Sequence, residues 1–276
     1  MKPAPESDVP AIAVADYHLH TCLCGHAEGA MAEYVRSAVA LGLPEIGFSD
    51  HLPLFAQADP ELAMAPPQLA GYVDEVLELR RRHPRLCILL GIEVDYVPET
   101  EEAVRALLAE HPFDYVIGSV HFIDGFLFDH PRNRAALAEL DREALALRYF
   151  ALVTRAADSG LFDVLAHFDL IRKFGGAPAP DGAAGRQALA ALQAAARNGT
   201  AVEVNTSGWR HPTGLAYPAP RYLQSMRELG VPLTFGSDAH RPQDVGARFG
   251  DAVAAARAAG YDRWLRLSDR VEVPLP

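Results

Sequence analysis

The stretch Ile12-Ala-Val-Ala-Asp16-Tyr-His18-Leu-His20 decides how the rest of the chain is read. An apolar run of strand length ends in two histidines set two apart, and at a strand end that spacing sends both imidazoles to one face. The pattern recurs. Ser49-Asp50-His51, Gly91-Ile-Glu93, Gly118-Ser-Val-His121, Ala166-His167-Phe-Asp169 and Gly236-Ser-Asp238-Ala-His240 each close another apolar run, and His26 follows the first. Imidazole and carboxylate are the usual ligands of zinc, manganese and iron. Nine such groups (His18, His20, His26, His51, Glu93, His121, His167, Asp238 and His240) are too many for one ion, so the register points to a multinuclear metal site.

The apolar runs at 12–17, 45–48, 86–92, 114–120, 163–167, 200–205 and 232–236 read as strands. Helical patterns are expected at 31–41, 68–82, 99–109, 141–159, 185–198 and 221–229, and a seventh at 247–259 follows the last run. Seven short β-then-α units imply a parallel sheet with helical crossovers. Only 173–184, rich in Gly, Ala and Pro, reads as a long flexible loop, and no linker divides the chain. The expected architecture is a single α/β domain spanning 1–276, its core about 12–262, closed as a barrel, with a doubly wound open sheet as the alternative. The donors favour the barrel. Chemistry in parallel α/β folds gathers at the carboxyl ends of strands, and only closure brings all of those ends to one mouth.

At 276 residues and 50% apolar, the chain can bury a large core. A net charge of −11 argues against a general nucleic-acid binder, which would carry a basic face. A small anionic substrate remains compatible, because bound metal ions invert the local field. No apolar run approaches membrane-spanning length, and residues 1–14 have no signal-peptide pattern. Three cysteines are too few for a disulfide framework, which points to the cytoplasm. Of these, Cys22 and Cys24 fall inside the suspected metal region and are read as small loop residues.

Glu93 ends a strongly apolar run, where a carboxylate needs partners to offset its desolvation; a metal pair would supply them and make it the bridging ligand. Asp238 and His240, again two apart, can serve different ions. Asp16, Asp50 and Asp169 are placed to orient imidazoles or to cap loops. His83 and His111 read as helix-terminal, and His130 and His211 as exposed, as do the loop acids Asp124 and Asp129.

The order HxH, SDH, GIE, GSVH, HFD and GSDAH resembles the polymerase-and-histidinol-phosphatase (PHP) family of metal-dependent phosphoesterases, from Asp16 to about Gly246. Finer strings resemble its histidinol-phosphatase branch: Cys24-Gly-His-Ala-Glu-Gly29, Pro112-Phe-Asp-Tyr-Val-Ile-Gly-Ser-Val-His121, Glu203-Val-Asn-Thr-Ser-Gly208 and Ser237-Asp-Ala-His-Arg-Pro242. The resemblance implies a distorted (β/α)7 TIM-like barrel holding three divalent ions of zinc, manganese or iron. It assigns the first ion to His18, His20, Glu93 and Asp238, the second to Glu93, His121 and His167, and the third to His26, His51 and His240. Residue spacing alone leaves that partition open.

Three divalent ions less two carboxylates would leave about +4 in the pocket, which suits a phosphate monoester dianion. Two ions bridged by Glu93 would generate a hydroxide and aim it at phosphorus. Lys173 and Arg210, and then Arg172 and Arg241, are the expected phosphate-binding cations. Asp238 or His240 is the expected proton donor, if a side chain supplies one. The implied reaction is hydrolysis of L-histidinol phosphate in histidine biosynthesis. A sugar phosphate or nucleotide is the alternative substrate. An accessory module for a nucleic-acid enzyme is disfavoured by the acidic charge, and an amide hydrolase by the absence of a lysine where Glu93 sits.

Overall fold

A run such as Cys87-Ile-Leu-Leu-Gly-Ile-Glu93 is apolar on both faces, as a parallel strand covered on both sides must be. The computed structural model describes residues 14–55 and 59–276. Seven parallel strands follow chain order around one sheet: β1 (Asp16–Leu19), β2 (Glu45–Phe48), β3 (Cys87–Asp95), β4 (Tyr115–Ser119), β5 (Val164–Leu165), β6 (Ala201–Asn205) and β7 (Leu233–Gly236). The sheet curls until its edges meet at the top. His20 N–H donates to the Ala239 carbonyl at 3.0 Å, and Ala239 N–H donates to the His18 carbonyl at 3.1 Å. The result is a nearly closed (β/α)7 barrel rather than an open doubly wound sheet.

Helices α1 (Met31–Leu41), α2 (Leu69–Arg82), α3 (Glu101–Ala109), α4 (Arg134–Ala138), α5 (Arg142–Asp158), α6 (Ala183–Asn198), α7 (Pro220–Leu229) and α8 (Phe249–Ala258) form the connections. Expected and observed bounds agree within two residues for seven of them; the short α4 carries no amphipathic period long enough to announce it. Residues 12 and 13 of the first expected strand lie outside the described residues. The third strand runs three residues past its expected end because Glu93, Val94 and Asp95 keep their pairing with Ile117, Gly118 and Ser119.

Tyr115 fills the barrel interior, its hydroxyl donating to the Tyr17 carbonyl at 2.6 Å. Gly47 and Gly91 lie against its ring, and a Cβ at either position would overlap the phenol. Below it, the chain end closes the barrel floor. The hairpin Arg263–Arg266/Val271–Pro274 inserts Trp264, 2% exposed, between Tyr17 and Phe235 at ring separations of 6.3 and 6.0 Å. The packed unit therefore extends past the expected core end at residue 262. Trp264→Ala is expected to destabilise the fold by about 3–5 kcal/mol, the usual range for truncating a buried large aromatic. Chemical denaturation checks this, and a loss under about 1 kcal/mol would mean that the hairpin is dispensable.

Candidate metal centre

The carboxyl ends of the strands deliver their side chains to one cavity of about 360 Å³ at the barrel mouth. Eight of the nine expected donors line it: His20, His26, His51, Glu93, His121, His167, Asp238 and His240. The ninth, His18, is wholly buried beneath them. A larger, mostly apolar groove of about 480 Å³ between Leu52–Phe55 and Tyr96–Val104 shares only Asp95 with this chemistry.

Glu93 is the hub. Its Oε2 lies 3.2 Å from His18 Nε2, 3.4 Å from His20 Nε2 and 3.3 Å from His51 Nδ1. Its Oε1 lies 3.3 Å from His167 Nε2 and 4.0 Å from His121 Nε2. Backbone pairing sets this position, since Glu93 N–H donates to the Asp50 carbonyl at 3.0 Å and Leu52 N–H to the Glu93 carbonyl at 2.8 Å. Asp238 Oδ1 stands 3.3 Å from His20 Nε2, while its Oδ2 accepts from Ser207 Oγ at 3.0 Å and Asn205 Nδ2 at 3.3 Å.

Two carboxylates that the strand-end pattern passes over orient the imidazoles. Glu203, buried in β6, sits 3.0 Å from His18 Nδ1 and accepts the His167 backbone N–H at 3.0 Å. That hydrogen bond helps hold His167 at φ 24°, a conformation an L-residue adopts only under constraint; Asp238, at φ 53°, is another. A Cβ on Gly236 would strike Glu203 and His18, so glycine keeps this pair in place. Asp95 stands 2.7 Å from His121 Nδ1. Of the three expected orienting aspartates only Asp50 faces an imidazole, His20 Nδ1 at 3.4 Å. Asp16 instead accepts the Ser237 and Gly246 backbone N–H groups at 2.8 Å each, tying β1 to the end of β7.

Burial would push every charged form here toward neutrality, yet the carboxylates overcome it at some imidazoles. Burial lowers His18, but Glu203, Glu93 and Asp238 hold it well above the ordinary imidazole range. Burial likewise lowers His20, and hydrogen bonds to Asp238 and Asp50 raise it well above. Against the same burial, Asp95 and Asp129 bring His121 up to about 10. His51, by contrast, is pushed down to about 3, first by burial. Burial also tends to raise Glu93 and Asp238, but facing imidazoles hold both well below the carboxylate range. Burial and the charge on His20 hold His240 well below its ordinary value.

The free atoms of the donor set fit divalent metal. His18 Nε2, His51 Nδ1, Glu93 Oε2, His167 Nδ1 and His240 Nε2 are buried with no hydrogen-bond partner. Leaving such atoms unmet is costly, and most of them converge on the Glu93 carboxylate or the adjoining imidazoles. Ligand-type atoms of His18, His20 and Asp238 lie within 4.8 Å of one another, as do those of His51, Glu93 and His121, and those of His20, His51 and His240. Nitrogen and oxygen donors in tight trios suit divalent cations.

Of the four expected phosphate-binding cations, three border the cavity. Arg210 is braced by the Ser237 and Asp238 carbonyls at 2.8 and 2.9 Å. Lys173 Nζ lies 2.9 Å from Asp129, and Arg241 sits at the rim beside Asp244. Arg172 does not border it. Its guanidinium is buried against Asp169 at 2.6 Å, binds the Ala216 carbonyl and stacks over Tyr217 at 4.5 Å. Arg172→Ala should therefore cost about 3–5 kcal/mol of stability by stranding buried Asp169, with little change in KM for the protein that folds. An unchanged denaturation midpoint with a large rise in KM would contradict that placement. Asp129 and His211, expected to be exposed, both line the cavity, with burial and Lys173 pushing His211 down to about 4.

A parallel barrel with a dense cluster of imidazole and carboxylate donors at its mouth is an architecture of metal-dependent hydrolases. Within it, residues 16–207 match the PHP domain, and the chain belongs to the PHP family. It is 43% identical over 248 residues to a "Probable histidinol-phosphatase" of Deinococcus radiodurans, covering 90% of this chain and 94% of that one. The histidinol-phosphatase of Bacillus subtilis is 30% identical, with 84% and 95% covered. The crystal structure of histidinol phosphate phosphatase from Lactococcus lactis subsp. lactis Il1403, complexed with Zn, L-histidinol and phosphate, superposes with a TM-score of 0.78. It covers 94% of this chain and 98% of its own, and at 21% identity it carries the fold.

Proposed function

We propose that this chain is a cytoplasmic, single-domain, metal-dependent phosphatase that hydrolyses L-histidinol phosphate to L-histidinol and phosphate, a step of histidine biosynthesis. The reading is carried by the unpartnered donor atoms around Glu93, in a chain whose length aligns almost end to end with the "Probable histidinol-phosphatase" of Deinococcus radiodurans, 43% identical to it.

His18, His20, Glu93 and Asp238 would hold one ion, Glu93, His121 and His167 a second, and His26, His51 and His240 a third. Bound there, divalent ions would supply Lewis-acid polarisation of the phosphoryl group and a nucleophile at neutral pH. The chain's own residues do the positioning. Glu203 holds the His18 Nδ1–H, and Asp95 that of His121, so that each Nε2 lone pair faces the cluster. Arg210, braced through one nitrogen, keeps its other N–H donors for phosphate oxygens, and Lys173 adds a point charge beside them. No helix among the described residues is long and apolar enough to cross a membrane.

The test is phosphate release by metal-loaded protein from L-histidinol phosphate beside a panel of sugar phosphates and nucleotides. A kcat/KM at least about a hundredfold above the panel is expected, the discrimination that differences in pocket contacts supply. A flat, metal-dependent ranking would keep the phosphoesterase and discard this substrate.

A further inference from the structure

We propose that Cys24 is a thiolate ligand of the ion held by His26 and His240, which gives that corner of the cluster a mixed nitrogen–sulfur donor set. The inference rests on the metal-dependent reading above and adds a residue to it. Cys24 ends a single 3-10 turn, Cys22–Cys24, and is fully buried, whereas Cys22 is exposed. Its Sγ and a ring nitrogen from each of His26 and His240 all lie within 4.8 Å of one another. A second trio, His20, His51 and His240, shares His240.

The hydrogen bonds around both imidazoles prepare them as ligands. His26 Nδ1 lies 2.9 Å from the Cys24 and Glu61 carbonyls, and His240 Nδ1 lies 3.1 Å from the Asp238 carbonyl. Carbonyls accept only, so in each ring Nδ1 carries the proton and Nε2 presents a bare lone pair. His240 Nε2 is buried with no partner. Buried His51, its ring centre 5.8 Å from that of His26, borders the same corner.

Charge points the same way. An imidazole brings no charge as a ligand, and the carboxylates of Glu93 and Asp238 fall in other trios, with His51 and His121 and with His18 and His20. The nearby Asp50 carboxylate is already engaged by the Thr21 N–H and hydroxyl and by the His51 N–H. A thiolate is then the anion at hand. The thiol now donates to the Thr21 carbonyl at 3.1 Å, and that carbonyl also accepts the Cys24 backbone N–H at 3.2 Å. On ligation the S–H bond breaks, its proton leaves to solvent and an Sγ–metal bond forms, with no carbonyl left orphaned. Sulfur at this corner favours zinc or cobalt(II) over manganese.

The test is the absorption spectrum of cobalt(II)-loaded protein. The expected result is a set of visible ligand-field bands plus a near-ultraviolet thiolate-to-cobalt charge-transfer band. That band should be lost in Cys24→Ser with the ligand-field bands kept, and retained in the double variant Cys22→Ser/Cys87→Ser. Because the double variant leaves Cys24 as the one thiol, it decides the assignment even if Cys24→Ser does not fold. Ligand-field bands without the charge-transfer band in wild type, or a charge-transfer band that the double variant removes, would overturn the proposal while leaving the metal centre intact. No cobalt spectrum at all would overturn the metal centre and the proposal with it.

Discussion

Replacing Glu93 with glutamine is expected to lower kcat/KM by about three orders of magnitude. The carboxylate is 1% exposed and faces five imidazoles, four of them within 3.4 Å. Glutamine keeps the shape and one acceptor but removes the charge that every neighbour is arranged around. Breaking a buried charge pair on one side costs about 3–5 kcal/mol, and about 4 kcal/mol off transition-state stabilisation corresponds to roughly a thousandfold in rate. Steady-state kinetics with metal content measured on the same sample would check it. A loss under tenfold at full metal loading would remove Glu93 from the centre of the chemistry.

Chelation is expected to abolish phosphate release and reloading with a divalent ion to restore it, with an apparent metal affinity that rises with pH. Without metal, burial works against the charged imidazoles, but facing carboxylates hold His18 and His20 well above their ordinary range, and His121 up to about 10. Near neutral pH these rings therefore carry protons that must leave before they can ligate. Each displaced proton lowers the apparent affinity about tenfold per pH unit of acidification, up to the pKa of the group. Calorimetry in buffers of different ionisation enthalpy counts the protons released. Loading that is independent of pH and releases none would show that the imidazoles are already free, and activity that survives rigorous chelation would remove the metal from the reaction.

The strand-end histidines are legible because strand periodicity turns spacing into direction: His18 and His20 need only the two-residue repeat to share a face, whereas Asp238 and His240 lie past the end of β7 and reach the cavity through the left-handed turn at Asp238. Glu203 is within reach of the argument that singles out Glu93, since Ala-Val-Glu-Val-Asn also places a lone carboxylate in an apolar run. Its place in mid-strand, rather than at the end, hides it. Asp95 lies two residues beyond Glu93 and escapes because the apolar run stops at Ile92 while the strand continues. Arg172 misleads for a geometric reason. Neighbours in a 3-10 turn point about 120° apart, so Lys173 reaches the cavity while Arg172 turns into the core. The C-terminal hairpin has strands of only four residues, with charges at Arg263, Arg266 and Glu272 that follow no strand period, too little pattern for a sequence to declare.

The seam between the first and last barrel strands has a consequence for the chain as it is made. His18 and His20 emerge from the ribosome early, but Asp238 and His240 stand beside them only once β7 has been synthesised and Ala239 has paired across the seam. During synthesis, N-terminal segments fold ahead of C-terminal ones. The earlier units can pair and pack as they appear, yet the complete donor set exists on no nascent intermediate that stops before residue 240. Completion of the donor set is therefore a late event that waits on closure of the barrel.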